Sequence, residues 1–225
     1  VTGTTPFISA HALMAAWVPR YFGVTYSQAE NVWRPELINS SFTLVLYPGM
    51  LVWYGLFALP ALKGRLAKHS RHLLGLGTIL FLYVPILTCA PGTEFLDAVP
   101  FLRIVWRFWF LPAVMFALVA MGSIALDAWC SSQPKLRQLA IPILSTCAVA
   151  LMVAAYHRSI GGPALETLRP HALPTVEREL LWALAVALMG LVIIALPVLR
   201  MRPQYVAAIF AAFLSGDLFA VTHDI

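Results

Sequence analysis

Apolar positions in this chain fall into long runs separated by short polar or basic stretches. The runs are Phe42–Leu62, Leu73–Ala90, Ile104–Leu126, Leu139–Tyr156, Leu180–Leu199 and Tyr205–Val221. Each approaches the ~20 residues that a helix needs to cross the hydrocarbon of a bilayer. Only helices and closed barrels satisfy every backbone group there, and runs of this length predict helices. Prolines fall inside several runs (Pro48, Pro60, Pro85), and Gly216-Asp217 interrupts the last. The pattern predicts an all-α, polytopic transmembrane bundle of about six spans, with both ends on the outside.

Residues 1–40 are mixed. Phe7 to Val24 is apolar but broken by His11, Pro19 and Arg20, and residues 25–40 are polar. They read as an outside or interfacial segment ahead of a transmembrane domain at 41–225. No basic region precedes an apolar one, which argues against a signal peptide; a start on Val1 reads as a processed chain, a tagged and trimmed one or, the favoured reading, a piece of something longer.

Composition agrees with the pattern. The chain has 225 residues, 60% of them hydrophobic, and a mean hydropathy of +0.82. Charged residues are 11%, against about 25% in an ordinary soluble domain. A soluble core of this size could not hide so much apolar surface. The net charge of +5 would suggest nucleic acid as a partner of a soluble domain. Its location gives a better reading. Residues 63–72, 127–138 and 200–203 fall on one side if each span crosses once, and carry 8 Lys/Arg against 1 acid. The longer stretches on the other side carry 7 Lys/Arg against 8 acids. The positive-inside rule then places the three basic loops in the cytoplasm of a cell with the chain in its inner membrane. Basic loops of this kind also attract anionic head groups. Trp33, Trp106, Trp109, Trp129 and Trp182 lie near span ends, where indole rings prefer the interface. Cys89, Cys130 and Cys147 form no CxxC pair and read as small apolar residues.

The segment Ala90–Phe110 concentrates the candidate chemistry. An outside loop with Glu94 and Asp97 leads through Pro100 to Arg103 and Arg107. Arginines four apart share a helix face. An arginine entering the membrane must snorkel or find an anion, and its planar fork suits phosphate. Two readings follow: a site holding a lipid-linked phosphate at the outer leaflet, or arginines that snorkel or pair with Glu94 and Asp97.

The order of a basic loop, an apolar span, a short outside loop ending in Pro, then Arg-x-x-x-Arg-Phe before the Ala/Leu/Gly-rich AVMFALVAMGSIAL resembles large bacterial membrane proteins of the GT-C glycosyltransferase superfamily, especially the YfhO-like group. The upstream YFGVTYSQAEN…LVLYPGMLVWYGLFALPAL is similar to the polar loop and light apolar span that precede that motif, and the likeness covers roughly residues 20–130. The family usually has Pro between its arginines, where this chain has Ile104-Val105-Trp106. Its acidic catalytic motif lies in a first outside loop with no counterpart here. The resemblance implies sugar transfer from a polyprenyl-phosphate donor at the outer face, with Arg103 and Arg107 as contacts to the donor phosphate. It leaves the catalytic residues of this chain unknown.

Asp217 is the only acid predicted well inside a span, which makes it a functional candidate for proton transfer, ion coordination or a helix–helix hydrogen bond. Were the sixth span to end near Leu214, Asp217 would instead lie at the outer interface. His11, His69, His72, His157, His171 and His223 share no ligand-type spacing, so no metal or other cofactor is expected. Two further readings stay open. One is a non-catalytic integral subunit of a larger respiratory or photosynthetic type of complex. The other is a transporter, which rests on Asp217 and the proline-broken spans, although no inverted repeat is visible.

Overall fold

The computed structural model describes residues 17–18, 47–62, 64–87, 93, 110–132, 134–163, 166 and 173–222. Among the described residues every regular element is helical. We number the α-helices α1 (Met50–Ala58), α2 (Ser70–Leu87), α3 (Leu111–Ser131), α4 (Ala140–Tyr156), α5 (Leu173–Ala195) and α6 (Pro203–Thr222). A 3-10 turn extends α1 to Leu62, another precedes α4 at Leu136–Leu139, and a π-helical turn follows α4 at His157–Gly161.

Three helical stretches, Leu111–Ser131, Leu136–Ile160 and Val176–Ala195, are long and apolar enough to cross a membrane. Met50–Leu62 and Gln204–Ala220 are apolar but shorter. Each of the six apolar runs contains one helix, with boundaries that differ from the expected ones. The first run is divided: the backbone takes φ +92° at Gly49, and α-helix begins only at Met50. The nine α-helical residues of α1 rise only about 14 Å. The expected outside loop 157–179 is helical at both ends, because the π turn carries α4 onward and α5 starts at Leu173. Pro174 is no obstacle, since proline is tolerated in the first turn where no intrahelical donor is lost. Helix α6 runs through Gly216-Asp217 without a break.

Helix α1 is apolar on every side (MLVWYGLFA), and a helix of that kind belongs inside a bundle. It packs against α3, α4, α5 and α6, while α2 lies mainly against α3. The α1–α3 crossing is set by two glycines. A Cβ on Gly55 would lie 2.3 Å from the Gly122 carbonyl oxygen, and one on Gly122 would lie 2.8 Å from the Val52 carbonyl oxygen. Small residues let membrane helices approach backbone to backbone, where dispersion is strongest. On the α5 side, Gly190 leaves room for the fully buried ring of Tyr54, whose hydroxyl donates to the Ala187 carbonyl.

One end of the bundle is closed by polar ties between segments distant in sequence. Trp129 Nε1 donates to the Ile194 carbonyl at 2.9 Å. Arg65 donates to the Ser132 carbonyl, and Gln138 Nε2 donates to the Ala61 carbonyl at 3.1 Å. Trp129, near the end of α3 as expected, is fully buried in the main apolar cluster, with Leu62, Leu66, Leu139 and Ile194. Its ring fills the gap among α3, α5 and the end of α1, and its N–H caps a carbonyl at the end of α5.

Large apolar side chains cover the outside. Leu74 and Phe81 of α2, Phe116 of α3, Leu144 and Leu151 of α4, and Leu181, Leu188 and Val192 of α5 are all exposed. Helix α4 buries only Pro142. Water would penalise such a surface heavily, whereas hydrocarbon would not, so this exterior and the three long apolar helices together describe a membrane protein. Of the cysteines described, Cys130 is half-buried and Cys147 exposed on α4.

Candidate functional site

A buried polar cluster joins the segment Tyr47–Met50 to Asp217 on α6. Helix α1 starts without a side-chain cap from its own N-cap residue. Its N-cap position is Gly49, which has no side chain to accept from the first free N–H groups of a helix. The acceptor comes from the far end of the sequence. Asp217 on α6 is buried at 5% exposure, and its Oδ2 accepts the Met50 N–H at 2.9 Å. The Tyr47 hydroxyl donates to both carboxylate oxygens, each at 2.9 Å. Asp217 is thus an N-cap supplied in trans, 167 residues from the backbone it caps.

The geometry around it is specific. At Gly49, φ +92° is a conformation that side-chain-bearing residues rarely adopt, and a Cβ there would lie 2.8 Å from Leu214 and 3.7 Å from Asp217 Oδ2. Glycine alone lets the chain turn into α1 and lets α6 come this close. A carboxylate at a helix N-terminus also faces the positive end of the helix dipole. With donors on both oxygens, Asp217 acts as an acceptor that fastens α6 to α1.

The residues expected to bind phosphate, Arg103 and Arg107 with Glu94 and Asp97, lie outside the described residues. What is described is the frame on either side of them. Helix α2 ends at Leu87 and α3 begins at Leu111. Phe110, three residues after Arg107, stacks on Tyr83 of α2 with ring centroids 4.9 Å apart. Leu111 and Val114 are buried against Trp17, Trp53, Leu80 and Tyr83. Trp17 stacks on Trp53 at 4.1 Å and on Phe57 at 5.5 Å, so part of the N-terminal segment packs on the bundle. An aromatic cluster thus holds the start of α3 in place directly after the arginine pair.

Glu179 escaped the sequence reading, which placed it in a loop. It is buried at 8% exposure on the second turn of α5. The available signal was spacing: Val176, Glu179, Ala183 and Ala187 recur at helical intervals and are all buried, so the inward stripe of α5 extends past the apolar run.

The rings of His69 and His72 lie 6.4 Å apart at the start of α2. Among the described residues no three His, Cys, Asp or Glu side chains gather as metal ligands would. His11, His171 and His223 lie outside those residues. No family model, curated protein or solved structure matches the chain.

Proposed function

We propose that the chain is part of a membrane glycosyltransferase-like protein that takes sugar from a lipid-phosphate donor at the outer face of the cell membrane. In this reading the chain crosses the bilayer six times with its basic loops in the cytoplasm, and Arg103 and Arg107 hold the donor phosphate. The observation that carries the reading is the Arg-x-x-x-Arg-Phe sequence leading into a helix start anchored by Phe110 and Leu111. Two arginines four apart in sequence, ahead of a packed helix start, suit bidentate capture of an interfacial phosphate.

Each charge-assisted hydrogen-bonded contact is worth about 1.5–3 kcal/mol. Replacing both arginines with alanine should therefore lower transfer from a polyprenyl-phosphate-linked sugar on the order of a hundredfold or more. Membrane insertion and the melting profile should remain those of the parent chain. Transfer at the parental rate would remove the role assigned to both residues.

A second reading, a non-catalytic subunit of a larger membrane complex, gains from the use of Asp217. The acid that most suggested chemistry is spent on closing the fold. A transporter reading loses support for the same reason. Purification as a stable monomer in detergent would count against the subunit reading and leave the enzyme reading untouched.

A further inference from the structure

The fold gathers three basic loops into one surface. Arg65 in the first loop donates to Ser132 in the second, and Gln138 in the second donates to Ala61 at the end of α1. The third loop follows the end of α5, which is tied to the end of α3 by Trp129 Nε1 on the Ile194 carbonyl and shares one apolar cluster with Leu62, Leu66 and Leu139. Loops separated by more than sixty residues of sequence are therefore fixed together at one end of the bundle.

Two features of that surface go beyond what topology alone requires. First, its cations alternate with exposed apolar side chains. Leu136 stands 75% exposed between Lys135 and Arg137, and Leu199 and Met201 (70% and 38%) flank Arg200. Alternation of this kind sets a charged head at phosphate depth and an apolar chain among acyl groups. Second, Arg200 has φ +58° and is the only non-glycine residue with positive φ among the described residues. The Met201 N–H reaches back to the Leu196 carbonyl, as in the glycine-ended turn that commonly closes helices. Glycine would relieve the strain at this position, yet the chain carries an arginine.

We propose that this surface, with Lys68, Arg71, Lys135, Arg137, Arg200 and Arg202 exposed on it, is a docking site for anionic phospholipid head groups. The phosphates sit among the cations, and Leu136, Leu199 and Met201 enter the acyl region beside them. The inference is independent of the proposed enzymatic role.

The test compares thermal melting of the full-length detergent-solubilised chain with added phosphatidylglycerol and with phosphatidylcholine. Phosphatidylglycerol should raise the midpoint more, and the difference should shrink with salt as exposed charges are screened. Each cation near an anionic surface is worth about fivefold in affinity. A variant with Lys135, Arg137, Arg200 and Arg202 all changed to glutamine should thus bind phosphatidylglycerol more weakly by on the order of a hundredfold or more. Arg200→Gly separates folding from binding. It should melt higher than the parent in phosphatidylcholine, because strain is relieved, while its extra shift in phosphatidylglycerol falls. Equal shifts in the two lipids, a full shift in the glutamine variant, or reproduction of the shift by inorganic phosphate alone would each overturn the proposal.

Discussion

Replacing Gly55 with alanine is expected to lower the thermal midpoint of the detergent-solubilised protein by on the order of 10 °C. The added methyl would sit 2.3 Å from the carbonyl oxygen of Gly122, 2.9 Å from its carbonyl carbon and 3.0 Å from its Cα. All three obstacles are backbone, so no rotamer change relieves them, and α1 and α3 must separate as whole helices. Separation also loosens the packing of Val52 against Gly122, which lies on the same crossing. Overpacking that forces backbone shifts costs about 1–3 kcal/mol, and sometimes more. The buried, central position of α1 places this substitution at the upper end. The control is Gly77→Ala on α2, where a Cβ meets nothing within 4 Å. There alanine should be neutral or stabilising by up to about 1 kcal/mol, since it restricts the unfolded chain and favours helix. If both alanines were tolerated equally, the close crossing of α1 and α3 would be disproved.

Asp217→Ala should cost about 3–5 kcal/mol, because it strands two buried donors, the Tyr47 hydroxyl and the Met50 N–H. An unsatisfied buried donor forfeits the full cost of its desolvation, about 1–3 kcal/mol, and apolar surroundings give it no substitute. Asp217→Asn keeps one oxygen acceptor and should lose less. Tyr47→Phe removes one donor together with its need for a partner, and should cost about 1 kcal/mol in the parent. In the Asp217→Ala background the same change should cost nothing or restore stability, because it deletes a stranded hydroxyl. A double-mutant cycle read by thermal melting measures this coupling, expected at about 1–2 kcal/mol. Strictly additive effects would show that Tyr47 and Asp217 do not act together. The cycle also bears on function. Were the carboxylate a proton carrier, Asp217→Asn would abolish activity in a protein of normal stability. As a helix cap, its effect on activity should follow stability alone.

Much of the architecture was legible because long apolar runs leave few alternatives. A backbone surrounded by hydrocarbon must bond to itself, so runs near 20 residues become helices whatever their neighbours. Each such run accordingly contains one helix. The boundaries were less legible, since helix ends follow local backbone and tertiary ties more than hydropathy. Leu173–Glu179 is helical despite Pro174, Glu177, Arg178 and Glu179, because its inward stripe of Val176 and Ala183 finds packing partners. The first run breaks at Gly49 because a positive φ and an acceptor from another helix begin α1 there. The place of Trp129 near a span end was legible, but its burial and its N–H bond to a carbonyl of α5 were not.

For the candidate site the division is sharper. The arginine pair and its acidic neighbours were singled out by spacing and residue type, and they lie outside the described residues. Asp217 was noticed for a physical reason that sequence supplies, a charge expected in hydrocarbon, but its employment was not readable. An acid inside a span can carry protons, hold an ion or cap a helix, and composition weighs these alike. What decides is the identity of the atoms within hydrogen-bonding distance, and here they belong to Tyr47 and Met50, 170 and 167 residues away in sequence. Hydropathy is a property of each stretch by itself, so it determined where the helices lie along the chain. The pairing of Gly55 with Gly122, the cap on α1 and the joining of three basic loops depend on which helices meet and at what height. Only the folded chain contains that information.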